Sequence, residues 1–105
     1  VSYLSPIAAG FPAPTDDYLV RVIGESMQNA SIHPRDLLGV DRAIEPANGK
    51  IVIAVVNGEL TVKRLREHRG KLWLMPENAN FHSIEIDENT DLHIWGVVTN
   101  VIHAL

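Results

Sequence analysis

Apolar and β-branched residues come in short runs along this chain, broken by polar, proline and glycine positions. The 3.6-residue spacing of an amphipathic helix is weak throughout. Leu19-Val20-Arg21-Val22-Ile23 reads as a strand, and Asp36-Leu37-Leu38-Gly39-Val40-Asp41 as another. Ile51–Val56 and Leu60-Thr61-Val62-Lys63-Arg64-Leu65 flank Asn57-Gly58, the strongest short-range signal for a two-residue hairpin turn. Lys71–Met75, Ile84–Ile86 and Leu92–Ile102 complete the set. Gln28 to Arg35 is turn-like, with room for one short helical turn. The pattern predicts a mainly β fold: one compact domain of several short antiparallel strands.

Residues 1–17 read differently, as an extended N-terminal arm. Pro6, Pro12 and Pro14 break any helix, and Gly10, Thr15, Asp16 and Asp17 add loop character. The expected division is an arm over 1–17 and a single domain over 18–105.

The hairpin predicts a register. With Asn57-Gly58 as the turn, Val56 pairs with Glu59, Ala54 with Thr61 and Val52 with Lys63. Side chains alternate faces, so Val52, Ala54, Thr61, Lys63 and Leu65 share one face. Lys63 is thereby set among mostly apolar neighbours. Ile51, Ile53, Val55, Leu60 and Val62 make the other face apolar too, as a hairpin buried between layers requires.

Composition narrows the class. At 105 residues with 46% hydrophobic content, the chain suits one domain with a real core. It has no cysteine, which excludes disulfides and thiolate chemistry. The longest apolar run, Ile51–Val56, is far short of the ~20 residues a membrane helix needs. No charged segment followed by an apolar stretch opens the sequence, so a cytoplasmic protein is expected. A net charge of −4 argues against direct DNA binding, which needs clustered Lys and Arg. Partners are expected to be proteins.

Ser26, in Gly24-Glu25-Ser26-Met27 just after a strand, is a candidate nucleophile if a base takes its proton. Five histidines (His33, His68, His82, His93 and His103) form no recognisable triad pattern, although sequence order does not exclude one. A lysine serves instead if it is neutral, and burial disfavours the ammonium form. The hairpin gives Lys63 such surroundings. Chemistry alone thus permits a Ser26/Lys63 pair without singling it out, since Gly-x-Ser is a common pattern and a strand lysine usually snorkels to the surface.

The motifs taken together are more specific. Val22-Ile23-Gly24-Glu25-Ser26-Met27 followed by Ile32-His33-Pro34-Arg35-Asp36-Leu37-Leu38-Gly39-Val40-Asp41 resembles the nucleophile region of the LexA/UmuD self-cleaving peptidases (family S24). Gly49-Lys50-Ile51-Val52-Ile53-Ala54 through Leu60-Thr61-Val62-Lys63-Arg64-Leu65 resembles the segment carrying their catalytic lysine. Leu74-Met75-Pro76-Glu77-Asn78 and Ile94-Trp95-Gly96-Val97-Val98 match in order. The resemblance implies Ser26 as nucleophile, Lys63 as general base and the N–H groups of Ser26 and Glu25 as oxyanion donors. It implies cleavage at Ala9-Gly10, small residues that a narrow cleft admits. Phe11-Pro12-Ala13-Pro14, Asp16-Asp17-Tyr18 and a leader too short for a helix-turn-helix domain favour the UmuD kind over repressors. For that kind the implied partners are a second copy in a homodimer, a RecA–single-stranded-DNA filament and a Y-family, UmuC-like DNA polymerase subunit. No cofactor or metal is implied. A repressor's peptidase domain, or a dimerisation and polymerase-binding module without catalysis, remain the alternatives.

One stretch departs from the UmuD pattern: Tyr18 runs directly into Leu19, where those proteins carry an additional segment. The basic stretch from Lys63 to Lys71 reads as a strand end and loop facing solvent. Trp73 and Trp95 read as core or interface aromatics.

Overall fold

The computed structural model describes residues 3–6 and 17–103, with side chains from Tyr18 onward. Eight strands form one antiparallel sheet in the order β1-β2-β3-β8-β4-β5-β6-β7. They are β1 (Tyr3–Pro6), β2 (Asp17–Arg21), β3 (Leu37–Asp41), β4 (Ile51–Val56), β5 (Glu59–His68), β6 (Lys71–Met75), β7 (Ile84–Ile86) and β8 (Leu92–Ile102). The only helix among the described residues is a 3₁₀ turn, Gln28–Ala30. The fold is mainly β, as the apolar pattern predicts.

The hairpin register is the expected one: Val56 faces Glu59, Ala54 faces Thr61 and Val52 faces Lys63. Asn57 and Gly58 both take positive φ, 49° and 85°, matching the right-handed twist of the strands they join. The two faces of this hairpin enter two apolar clusters. Ile53 and Val62 pack with Val20, Val22, Met27, Ile32, Leu38 and Val40. Val52, Ala54, Val56 and Leu65 pack with Leu74 and Val97.

β8 joins the two parts of the sheet. It pairs with β3 and with β4, and the register slips once on each side. The slips leave Trp95 without a Cα partner on β4 and Thr99 without one on β3. Such bulges bend a long strand and increase its twist. Gly96 sits beside the first, where an added Cβ would fall 2.5 Å from Val40 Cγ1, so the strands approach this closely only with glycine there.

Three expectations are modified. Tyr3–Pro6, read as part of an extended arm, is a strand paired with β2, Tyr3 opposite Arg21 and Pro6 opposite Tyr18. β2 begins at Asp17 and runs unbroken through the Tyr18–Leu19 junction. It stops at Arg21, and Ile23, read as strand, is 64% exposed. The basic stretch divides: β5 continues to His68, a second positive-φ pair, Arg69-Gly70, turns the chain, and only the part from Arg66 on faces solvent.

The 22–36 connection, which carries Ser26, is closed at its base. Val22 N–H donates to Asp36 O and Arg35 N–H to Val22 O. Asp36 is buried; its Oδ2 accepts from His33 N–H and lies 2.8 Å from His103 Nδ1. Burial works to raise its pKa, but the bond from His33 and the bond and charge of His103 outweigh it and leave the carboxyl below 3.8. A depressed carboxyl stabilises the fold above its unfolded value, and that contribution fades as pH falls through the folded value. Asp36→Asn is therefore expected to lower stability by about 1–3 kcal/mol at neutral pH. Urea unfolding should show the deficit shrinking well below pH 3.8.

Candidate active site

Ser26 is placed by what flanks it. Gly24 takes φ of 88°, a conformation that suits glycine, and turns the chain out of β2. Met27 is almost completely buried and plugs the first cluster. Ser26, between them, stays half-buried at the surface. Its carbonyl accepts from Glu77 N–H at 2.7 Å, and the carbonyl of Glu25 accepts from Asn78 Nδ2 at 2.9 Å. Among the described residues, the N–H groups of Glu25 and Ser26 donate to no backbone carbonyl.

Lys63 comes from the middle of β5 and is only 8% exposed. Its Nζ lies 2.9 Å from Ser26 Oγ, 2.8 Å from Thr61 Oγ1 and 3.1 Å from Val62 O. An ammonium would donate to all three. A neutral amine has two N–H donors and one lone pair. With Thr61 Oγ1 and Val62 O accepting the two protons, the lone pair is left for the Ser26 hydroxyl, which then donates to Nζ. Burial lowers the Lys63 pKa from its ordinary 10.5, while the Glu59 carboxylate opposes the shift.

A groove of about 880 Å³ opens over this pair. Its walls are the serine turn (Ile23 to Ser26), the tip of the β4–β5 hairpin (Val56 to Thr61) and Phe81, His82 and Ile84. Ile23 and Phe81 are exposed on its rim. His82 lines it, but among the described residues no histidine hydrogen-bonds Ser26; the base in contact is Lys63.

The structure thus brings Ser26, Glu25 and Lys63 together. Ala9 and Gly10 lie outside the described residues; they fall in the chain between β1 and β2. Thr61 shares a face with Lys63 in the register, but its bond to Nζ needed the lysine side chain to fold back along its own strand. Glu77 and Asn78 entered the sequence reading only as part of a stretch resembling the family, with no role attached to either side chain.

A mainly β domain with a serine hydroxyl held against a desolvated amine, under a groove, is the class of protein that these features define. The Peptidase S24-like family matches residues 2–99. The LexA repressor of Bordetella petrii is 44% identical over 92 residues, 88% of this chain and 41% of its own length. That of Marinobacter nauticus is 45% identical over 94 residues, 89% and 46%. Protein MucA of Salmonella typhimurium is 39% identical over 118 residues, 93% of this chain and 80% of that protein. The MucA alignment is longer than the chain's 105 residues, so MucA has stretches with no counterpart here. The chain spans less than half the length of these LexA repressors. It belongs to the S24-like peptidase family.

A lysine with a lowered folded pKa releases its proton earlier in the folded protein than in the unfolded chain. Between the two values the unfolded chain binds more protons, so stability rises with pH. Lys63→Met removes that cost and is expected to raise Tm by a few degrees at neutral pH. Thermal unfolding followed at several pH values should show the gain narrowing towards pH 10.5.

Proposed function

We propose that the chain is a self-cleaving serine peptidase with Ser26 as nucleophile, Lys63 as general base and Ala9–Gly10 as scissile bond. The observation that carries this reading is the 2.9 Å contact between Ser26 Oγ and a buried amine whose other two partners are acceptors. Neutral Lys63 takes the hydroxyl proton as Oγ attacks the carbonyl carbon of Ala9. The oxygen gains negative charge and is held by the N–H groups of Ser26 and Glu25. The Lys63 ammonium returns its proton to the Gly10 nitrogen, the C–N bond breaks, and Gly10 becomes a new N-terminus. Water, deprotonated by Lys63, then attacks the Ser26 ester and frees the Ala9 carboxylate. Small side chains on both sides of the bond suit a groove whose floor lies close to Oγ. The family match, which begins at residue 2, takes in this segment.

The match to MucA over 80% of that protein supports a UmuD-like, cytoplasmic SOS-response protein. In that reading a RecA–single-stranded-DNA filament shifts the arm towards the cleavable arrangement, a population shift that adds no catalytic group. The shortened product, a homodimer, then serves an error-prone Y-family, UmuC-like polymerase. The 44–45% identity to LexA repressors favours a second reading, the peptidase part of a repressor. The reading frame upstream of Val1 decides: an in-frame helix-turn-helix domain selects the repressor.

Ser26→Ala and Lys63→Ala should each leave the chain uncut by intact mass after incubation with activated RecA; normal fragments from either would refute the assignment. Gly10→Glu should block processing with Tm unchanged, and an unchanged fragment pattern would move the scissile bond elsewhere. Because Lys63 acts in its neutral form, spontaneous cleavage should accelerate as pH rises and level off below 10.5. A flat profile counts against Lys63. Thr61→Val, which removes one acceptor and frees the amine to turn, should slow that plateau roughly tenfold as followed by quenched time courses.

A further inference from the structure

We propose that Asn78 is a positioning residue for the peptide unit whose N–H receives the oxyanion; this rests on the Ser26/Lys63 reading above. Asn78 lies just past β6, and both ends of its side chain are used. Nδ2 donates to the Glu25 carbonyl at 2.9 Å, and Oδ1 accepts from Asn80 N–H at 3.1 Å. The carbonyl of Glu25 and the N–H of Ser26 belong to one planar trans peptide. Holding the oxygen therefore fixes the direction in which the Ser26 N–H points.

The plane needs an external tie. On its N-terminal side stands Gly24, with φ of 88° and no atom within 4 Å of where a Cβ would be. Within the turn, Glu25 O accepts one further bond, from Gln28 N–H at 3.1 Å. The neighbouring residue strengthens the clamp: Glu77 N–H donates to Ser26 O at 2.7 Å, and Glu77 O accepts from Asn29 N–H at 2.7 Å. Glu77 is itself pinned by Arg64, which also donates to Gly49 O at 2.6 Å. Arg64 follows Lys63 on β5, so consecutive residues of one strand supply the base and anchor the clamp. The bond from Asn78 also polarises the Glu25–Ser26 peptide and makes its N–H a stronger donor. Loss of one oxyanion donor costs about 10²–10³ in rate, and hydrogen bonds weaken steeply as they tilt.

Two variants test this on the full chain, by its spontaneous cleavage across alkaline pH. Asn78→Asp keeps the acceptor for Asn80 N–H and the side-chain volume but turns a donor into an acceptor facing Glu25 O. Asn78→Ala removes the tie without adding charge. Both should lower the plateau rate at least about tenfold. The pH midpoint of Asn78→Ala and the Tm of Asn78→Asp should stay at the wild-type values. A wild-type plateau in Asn78→Asp overturns the proposal. So does a loss of rate matched by a loss of Tm in that variant, or a shifted midpoint with an unchanged plateau in Asn78→Ala. Ser26→Ala, run alongside, separates the two levels: if it is inactive while Asn78→Asp cleaves normally, only the role of Asn78 falls. If Ser26→Ala itself cleaves, the nucleophile assignment falls with it.

Discussion

The central constraint on this structure is that a lysine amine is kept away from water and against a serine hydroxyl. Lys63 stands on the face of the β4–β5 hairpin that carries Val52, Ala54 and Leu65, where an ammonium is poorly solvated. Three polar atoms meet Nζ, and they match the two donors and one lone pair of a neutral amine. Among the described residues no histidine hydrogen-bonds Ser26, whose side-chain partner is Lys63. Burial lowers the proton affinity of the lysine amine. The carboxylate of Glu59, at the end of the same strand, pulls the other way, so the proton affinity of Nζ reflects a balance between burial and charge.

Bringing the hydroxyl to that amine requires two distant parts of the sheet to meet. Ser26 belongs to the connection leaving β2, and Lys63 to β5, with β3, β8 and β4 between them in the sheet. β8 lies between them and joins the halves, with a register shift on each side and a close approach at Gly96. Met27 then fastens the serine connection into the first apolar cluster, and Asp36 closes its base. The Pro76-Glu77-Asn78 segment ties the same connection to the end of β6. The serine is therefore held from its own side by packing and from the lysine's side by hydrogen bonds.

Much of this was legible in residue order. Ile51–Val56, Lys71–Met75, Ile84–Ile86 and Leu92–Ile102 stand where their apolar runs place them, because β-branched runs between turn residues leave the backbone few alternatives. Asn57-Gly58 set the register, since both residues tolerate the positive φ that a tight hairpin needs. That register put Lys63 on an apolar face. The β1 strand was hidden: Tyr-Leu-Ser-Pro carries no alternation and a proline, and its pairing exists only because β2 offers an edge. The bulges in β8 were hidden too, since nothing local distinguishes Trp95 or Thr99 as an extra residue.

Sequence alone determined the strands from β3 onward, the hairpin register and the apolar face that carries Lys63, because turn chemistry and side-chain alternation act over a few residues. Tertiary structure decided that Ser26 is the partner of that lysine, that Thr61 and Val62 share its amine, and that Asn78 reaches the peptide beside the serine. Those contacts join positions up to 53 residues apart. They depend on how a bent sheet packs, which no local rule of spacing encodes.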